Sequence, residues 1–102
     1  MARVMVRYRV KPDQADRNEQ LVRAVYDELR RTEPTGFRYA TFQLDDGVTF
    51  IHLASTDSGT EQSPLAALES FRQFQAGIAD RCDEPPVVTA IREIGSFHAF
   101  ER

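Results

Sequence analysis

A chain of 102 residues, 41% hydrophobic and 28% charged, has material for one domain with a single core and not for two. Thirteen basic against sixteen acidic side chains leave a formal charge of −3, so no general attraction draws it to nucleic acid or to an anionic membrane. A lone cysteine, Cys82, rules out an internal disulfide, and no apolar run reaches signal-peptide or membrane-spanning length, which points to a reducing, cytoplasmic setting.

The segment from Arg3 to Val10 alternates, with Val4, Val6, Tyr8 and Val10 on one face and Arg3, Met5, Arg7 and Arg9 on the other, the period of a half-buried strand. Lys11-Pro12-Asp13 breaks it, since proline has no N–H for a ladder. Asp13 or Asp16 then offers an N-cap, and Asp16 with Glu19 three residues on has the spacing of a capping box. From about residue 14 to 32, Leu21, Val22, Val25, Tyr26 and Leu29 recur at helical spacing with charged residues between them, predicting an amphipathic helix.

Pro34-Thr35-Gly36 ends that helix, and residues 37 to 44 read as a second strand. Asp45-Asp46-Gly47 predicts a tight primed hairpin turn, because glycine takes positive φ freely. The third strand, 48 to 54, is apolar on both faces and so belongs at the centre of a sheet. A polar stretch from Ser55 to Gln62 predicts an exposed loop, placed as a lid. Ser63-Pro64 reads as N-cap and first turn of a second helix reaching about Arg81. Glu84-Pro85-Pro86 stops it, and residues 87 to 94 form a fourth strand whose apolar phase shifts between Ile91 and Ile94, the mark of a bulge. Phe97 and Phe100 make the tail from Gly95 to Arg102 too aromatic to be purely solvated.

The order strand, helix, strand, strand, helix, strand predicts an α+β, ferredoxin-like βαββαβ fold, with a four-stranded antiparallel sheet and both helices on one face. The helix-free face carries apolar residues, and a second copy of the chain is its economical cover.

His52, on the third strand, is the first candidate for proton transfer near neutral pH. Tyr8, on the neighbouring strand, is placed to hydrogen-bond a carbonyl or phenol in the same cavity. Tyr26, Tyr39, Phe71 and Phe74 are candidate walls of an aromatic ligand site. For each of these six the plainer use is packing. Arg7 and Arg9 could grip a carboxylate, but Glu93 on the adjacent strand competes for them. Cys82, beside Asp83, reads as an inert thiol. His52 and His98 are too far apart for a metal-ligand motif, and the isolated glycines form no phosphate loop, so neither metal nor cofactor is expected.

The element order, the Val-x-Val-x-Tyr-x-Val strand from Val4 to Val10, the Asp46-Gly47 hairpin and the Ser63-Pro64 start of a Phe-bearing helix together resemble the dimeric α/β-barrel superfamily. Within it, the chain is similar to small antibiotic-biosynthesis-monooxygenase-like proteins over nearly its whole length. The resemblance implies a homodimer and a cofactor-independent monooxygenase or isomerase acting on a small aromatic or polyketide-like substrate. The Asn and Trp that such sites employ have no counterpart, as there is no Trp and the one Asn, Asn18, falls on the first helix. The alternative is a non-catalytic homodimer of the same fold that binds a small ligand or serves as an interaction module.

Overall fold

Four strands set the frame of the computed structural model, which describes residues 2–57 and 63–99. They are β1 (Ala2–Val10), β2 (Phe37–Gln43), β3 (Thr49–Thr56) and β4 (Cys82–Ala90), hydrogen-bonded in the order β2-β3-β1-β4 with every pair antiparallel. Helix α1 (Ala15–Thr32) connects β1 to β2, and two short helices, α2 (Glu69–Gln75) and α3 (Ile78–Arg81), connect β3 to β4. This is the ferredoxin-like βαββαβ topology. β3 and β1 hold the centre, as the two-sided apolarity of residues 49 to 54 requires.

The alternation in β1 is realised as two different surfaces. Tyr8 and Val10 are buried under the helices with Phe50 of β3, which lies opposite Tyr8 in the ladder. Leu21, Val22 and Val25 of α1 close this core from above, with Leu65, Leu68 and Phe74 from the second helical segment. Met5, Arg7, Ile51 and Leu53 alternate with the buried set and face the other way. Among the described residues no helix is long and apolar enough to cross a membrane.

Local departures from the sequence reading have identifiable causes. The first helix opens through a 3-10 turn, Pro12–Gln14, and Gln14 takes the N-cap position without a side-chain bond, while Glu19 pairs with Arg23 at 2.8 Å instead of closing a capping box. The β2–β3 connection, residues 44–48, is a five-residue loop rather than a two-residue primed turn. Leu44 N–H donates to the Thr49 carbonyl, Gly47 sits at φ 76°, and the Asp46 carboxylate accepts from the N–H groups of Val48 and Thr49. Ser55 and Thr56 belong to β3, Asp57 donates its N–H to the Gly36 carbonyl, and residues 58–62 of the expected lid lie outside the described residues, as does Phe100.

The predicted single second helix is divided. Pro64–Ala67 is a 3-10 turn capped by Ser63, and Leu68 is extended, which lets both Leu65 and Leu68 reach the core. A second break falls at Ala76-Gly77, where Gly77 adopts φ 78°. β4 starts earlier than predicted and runs through Pro85 and Pro86. An edge strand tolerates them because it needs N–H groups on one side only, and the pairing with β1 slips between Arg7 and Val10 instead of between Ile91 and Ile94. Arg9 consequently pairs with Glu84 at 3.1 Å, and Glu93 lies 4.0 Å from Arg3, not against Arg7 or Arg9.

Candidate functional site

Under the helices, a run of polar side chains crosses a core that is otherwise apolar. Its register comes from the strands, since Tyr8 lies opposite Phe50 and Thr41 lies opposite His52. The Tyr8 hydroxyl is 2.8 Å from His52 Nε2, and the Tyr39 hydroxyl is 2.6 Å from His52 Nδ1. Thr41 Oγ1 approaches the same Nδ1 at 3.1 Å and bonds the Tyr26 hydroxyl at 2.7 Å. At the other end Asn18 Nδ2 donates to the Tyr8 hydroxyl at 2.8 Å, and Arg81 Nε donates to Asn18 Oδ1 at 3.2 Å.

Rings pack along this chain. Tyr8 stacks on Phe50, Tyr39 stacks on both Tyr26 and Phe37, and Phe74 meets Tyr8 edge-on and lies 5.6 Å from the His52 ring centre. Phe71 joins through Phe74. His52 thus contacts Tyr8, Tyr39 and Phe74, Tyr26 connects through Thr41 and Tyr39, and Phe71 stands one layer further out.

Burial governs the electrostatics. His52 is 4% exposed, and removal of its ring from water pushes its pKa down to about 4, so the imidazole is neutral at pH 7. Burial also raises the Tyr26 phenol to about 12 and the Tyr8 and Tyr39 phenols further, so all three stay protonated. The chain therefore consists of neutral groups except at Arg81, whose guanidinium is held by the Phe74 and Ala76 carbonyls and lies over the Phe74 ring. Those two carbonyls end α2, so Arg81 serves as its C-terminal cap across the Gly77 break. The Cys82 thiol is raised by burial, the direction of an unreactive group.

Asn18, Arg81 and Thr41 are site members that the sequence reading did not select. Asn18 had a signal: it shares the helical phase of Leu21, Val22 and Val25, and a polar residue on an apolar stripe must find buried partners.

Two clefts formed by described residues border this region. One, of about 370 Å³, lies between α1 and the β2–β3 surface with Tyr26, Thr41 and Phe50 on its wall. The other, of about 510 Å³, is on the helix-free face, where Leu53, Ala40 and Arg38 meet the segment from Ile91 onward. His52 is on the wall of neither. Among the described residues no group of three His, Cys, Asp or Glu side chains is arranged to hold a metal ion.

A solved antibiotic biosynthesis monooxygenase superposes with a TM-score of 0.75 at 19% identity, covering 93% of this chain and 100% of that one. Rv0793 from Mycobacterium tuberculosis gives 0.68 at 18% identity, with 93% and 96% covered, and NE2512 from Nitrosomonas europaea, a protein of unknown function, gives 0.70 at 18%, with 94% and 91% covered. At such identities the likeness establishes the fold. No curated protein matches the sequence significantly. The sequence model of the family described as antibiotic biosynthesis monooxygenase matches residues 1–59, more than half of the chain and the part that supplies Tyr8, Asn18, Tyr26, Tyr39 and His52. The chain belongs to the antibiotic biosynthesis monooxygenase family.

Proposed function

We propose that this protein is a cofactor-independent monooxygenase acting on a small aromatic or polyketide-like molecule, with His52 moving the proton and Tyr8, Tyr39 and Tyr26 orienting the substrate. The observation that carries the reading is a neutral imidazole hydrogen-bonded to a phenol on each ring nitrogen, inside an aromatic core. Family membership supports the reaction class. With an anthrone as substrate, the ring methylene loses two hydrogens, one atom of O₂ enters as the new ketone oxygen, and the other leaves as water. The substrate supplies all four electrons, so the balance needs no further reductant. Oxygen uptake with anthrone tests the proposal: His52→Ala should lower the rate by roughly 10²- to 10⁴-fold, and Phe97→Ala should not. An unchanged rate in His52→Ala removes His52 from the mechanism.

A second reading has its own support. His52 is almost wholly enclosed, and both its nitrogens are already hydrogen-bonded, the arrangement expected of a non-catalytic homodimer that binds a small ligand. Saturable binding of anthraquinone without oxygen uptake from anthrone would favour it.

Both readings include pairing of two copies through the helix-free face. Val87 is 62% exposed there, with Met5, Ile51 and Leu53 beside it, an apolar surface that a second sheet would remove from water. Sedimentation equilibrium at micromolar concentration should give twice the 11.6 kDa chain mass, and a single-chain mass refutes the pairing.

A further inference from the structure

Only one proton order gives the buried Tyr8 hydroxyl both an acceptor and a donor partner, and that order starts at Arg81. A guanidinium can only donate. Arg81 Nε therefore fixes the Asn18 amide with Oδ1 toward itself, which turns Nδ2, also only a donor, toward Tyr8. The Tyr8 oxygen accepts from Asn18, so its own proton goes to its remaining partner, His52 Nε2. His52 Nε2 then carries no hydrogen, and the neutral ring holds its proton on Nδ1, facing Tyr39 at 2.6 Å and Thr41 at 3.1 Å. The reverse order would leave the Tyr8 proton without an acceptor at a residue 2% exposed, where no water can replace the lost bond.

We propose that Asn18 and Arg81 are positioning residues that set the tautomer of His52, so that the resting chain presents donors, not acceptors, on its Tyr39–Thr41 side. Tyr39, having accepted from Nδ1, keeps its own O–H to give. The ligand group that suits this end is an oxygen acceptor such as a carbonyl or phenolate. This consequence for the substrate rests on the monooxygenase reading, in which the first act of the site is to hydrogen-bond a substrate oxygen; the proton order itself does not.

Nitrogen-15 NMR of the His52 ring in the ligand-free protein at pH 7 tests the order. The wild type should show a protonated Nδ1 and a bare Nε2. Asn18→Asp replaces the donor facing Tyr8 by an acceptor of the same shape, with Arg81 as its counter-ion, so the Tyr8 proton should turn away and the tautomer should invert to Nε2–H. Arg81→Met frees the amide to turn over and should yield both forms. A wild-type ring protonated on Nε2 overturns the proposal whatever the variants do, and so does a folded Asn18→Asp protein that keeps Nδ1–H. A single Nδ1–H form in folded Arg81→Met removes Arg81 from it. No substrate is used, so a protein with the expected tautomer but no oxygen uptake contradicts the monooxygenase reading and leaves the proton order intact.

Discussion

The two faces of one sheet solve burial in different ways. Beneath the helices, α1 and α2 cover β1 and β3, and even the polar groups are enclosed and paired from Arg81 to Tyr26. On the other face and along β4, apolar side chains stand in the open: Val87 and Val88 are more than half exposed, and Ile94 and Phe97 almost wholly so. The difference teaches that the chain's stability and its pH response are set by the covered side, whereas the proposed pairing is left to the open one.

The largest effect should come from the covered side. Tyr8→Ala deletes a fully buried ring and strands both Asn18 and His52, so chemical denaturation should show a loss of about 3–5 kcal/mol. A loss below about 1 kcal/mol would erase the contrast between the faces.

Next is the response to acid. The folded pKa of His52 lies below its unfolded value, so protonation favours the unfolded chain. Its contribution is complete above about pH 6.5, declines as pH falls from there to about 4, and amounts to about 3 kcal/mol across that window. Denaturation midpoints between pH 7 and 4 should fall in the wild type and much less in His52→Phe. The Glu28 carboxylate, lowered chiefly by the Ser70 hydroxyl, and the Asp46 carboxylate, lowered chiefly by that of Thr49, begin to lose their contributions only at the acid end of this window, and because both proteins share them the difference between wild type and His52→Phe isolates the histidine.

Gly77→Ala probes the seam between α2 and α3. A Cβ there meets only the Arg81 guanidinium at 3.9 Å, so the cost is that of holding alanine at positive φ, about 1 kcal/mol in thermal or chemical unfolding. Smallest is Val87→Asp on the open face. In protein dilute enough to be single chains, stability should change by no more than about 0.5 kcal/mol, while sedimentation should show that pairing is lost.

The sequence made the frame legible wherever one period governed a segment. Alternation in β1 and the two-sided apolarity of β3 located the sheet centre, and the stripe through Leu21 and Val25 located α1. It misled where a residue's meaning depends on its neighbours in space. Pro85 and Pro86 read as the end of a helix and proved to lie within an edge strand, a position that local sequence does not encode. Gly77 interrupts an otherwise helical pattern, and only the break at that position frees the Phe74 and Ala76 carbonyls that hold the Arg81 guanidinium in the core, a use that local sequence does not show. Asn18 was readable in principle, from its place on the apolar stripe. Thr41 was not, because only the register of β2 against β3 puts its hydroxyl beside His52.

At the centre of this account is an imidazole sealed from water and neutral throughout the physiological range. Proton NMR of the His52 ring during an acid titration measures that directly. A sealed ring gives an inflection near pH 4, and a midpoint near 6.5, the value of a solvated histidine, would contradict its burial.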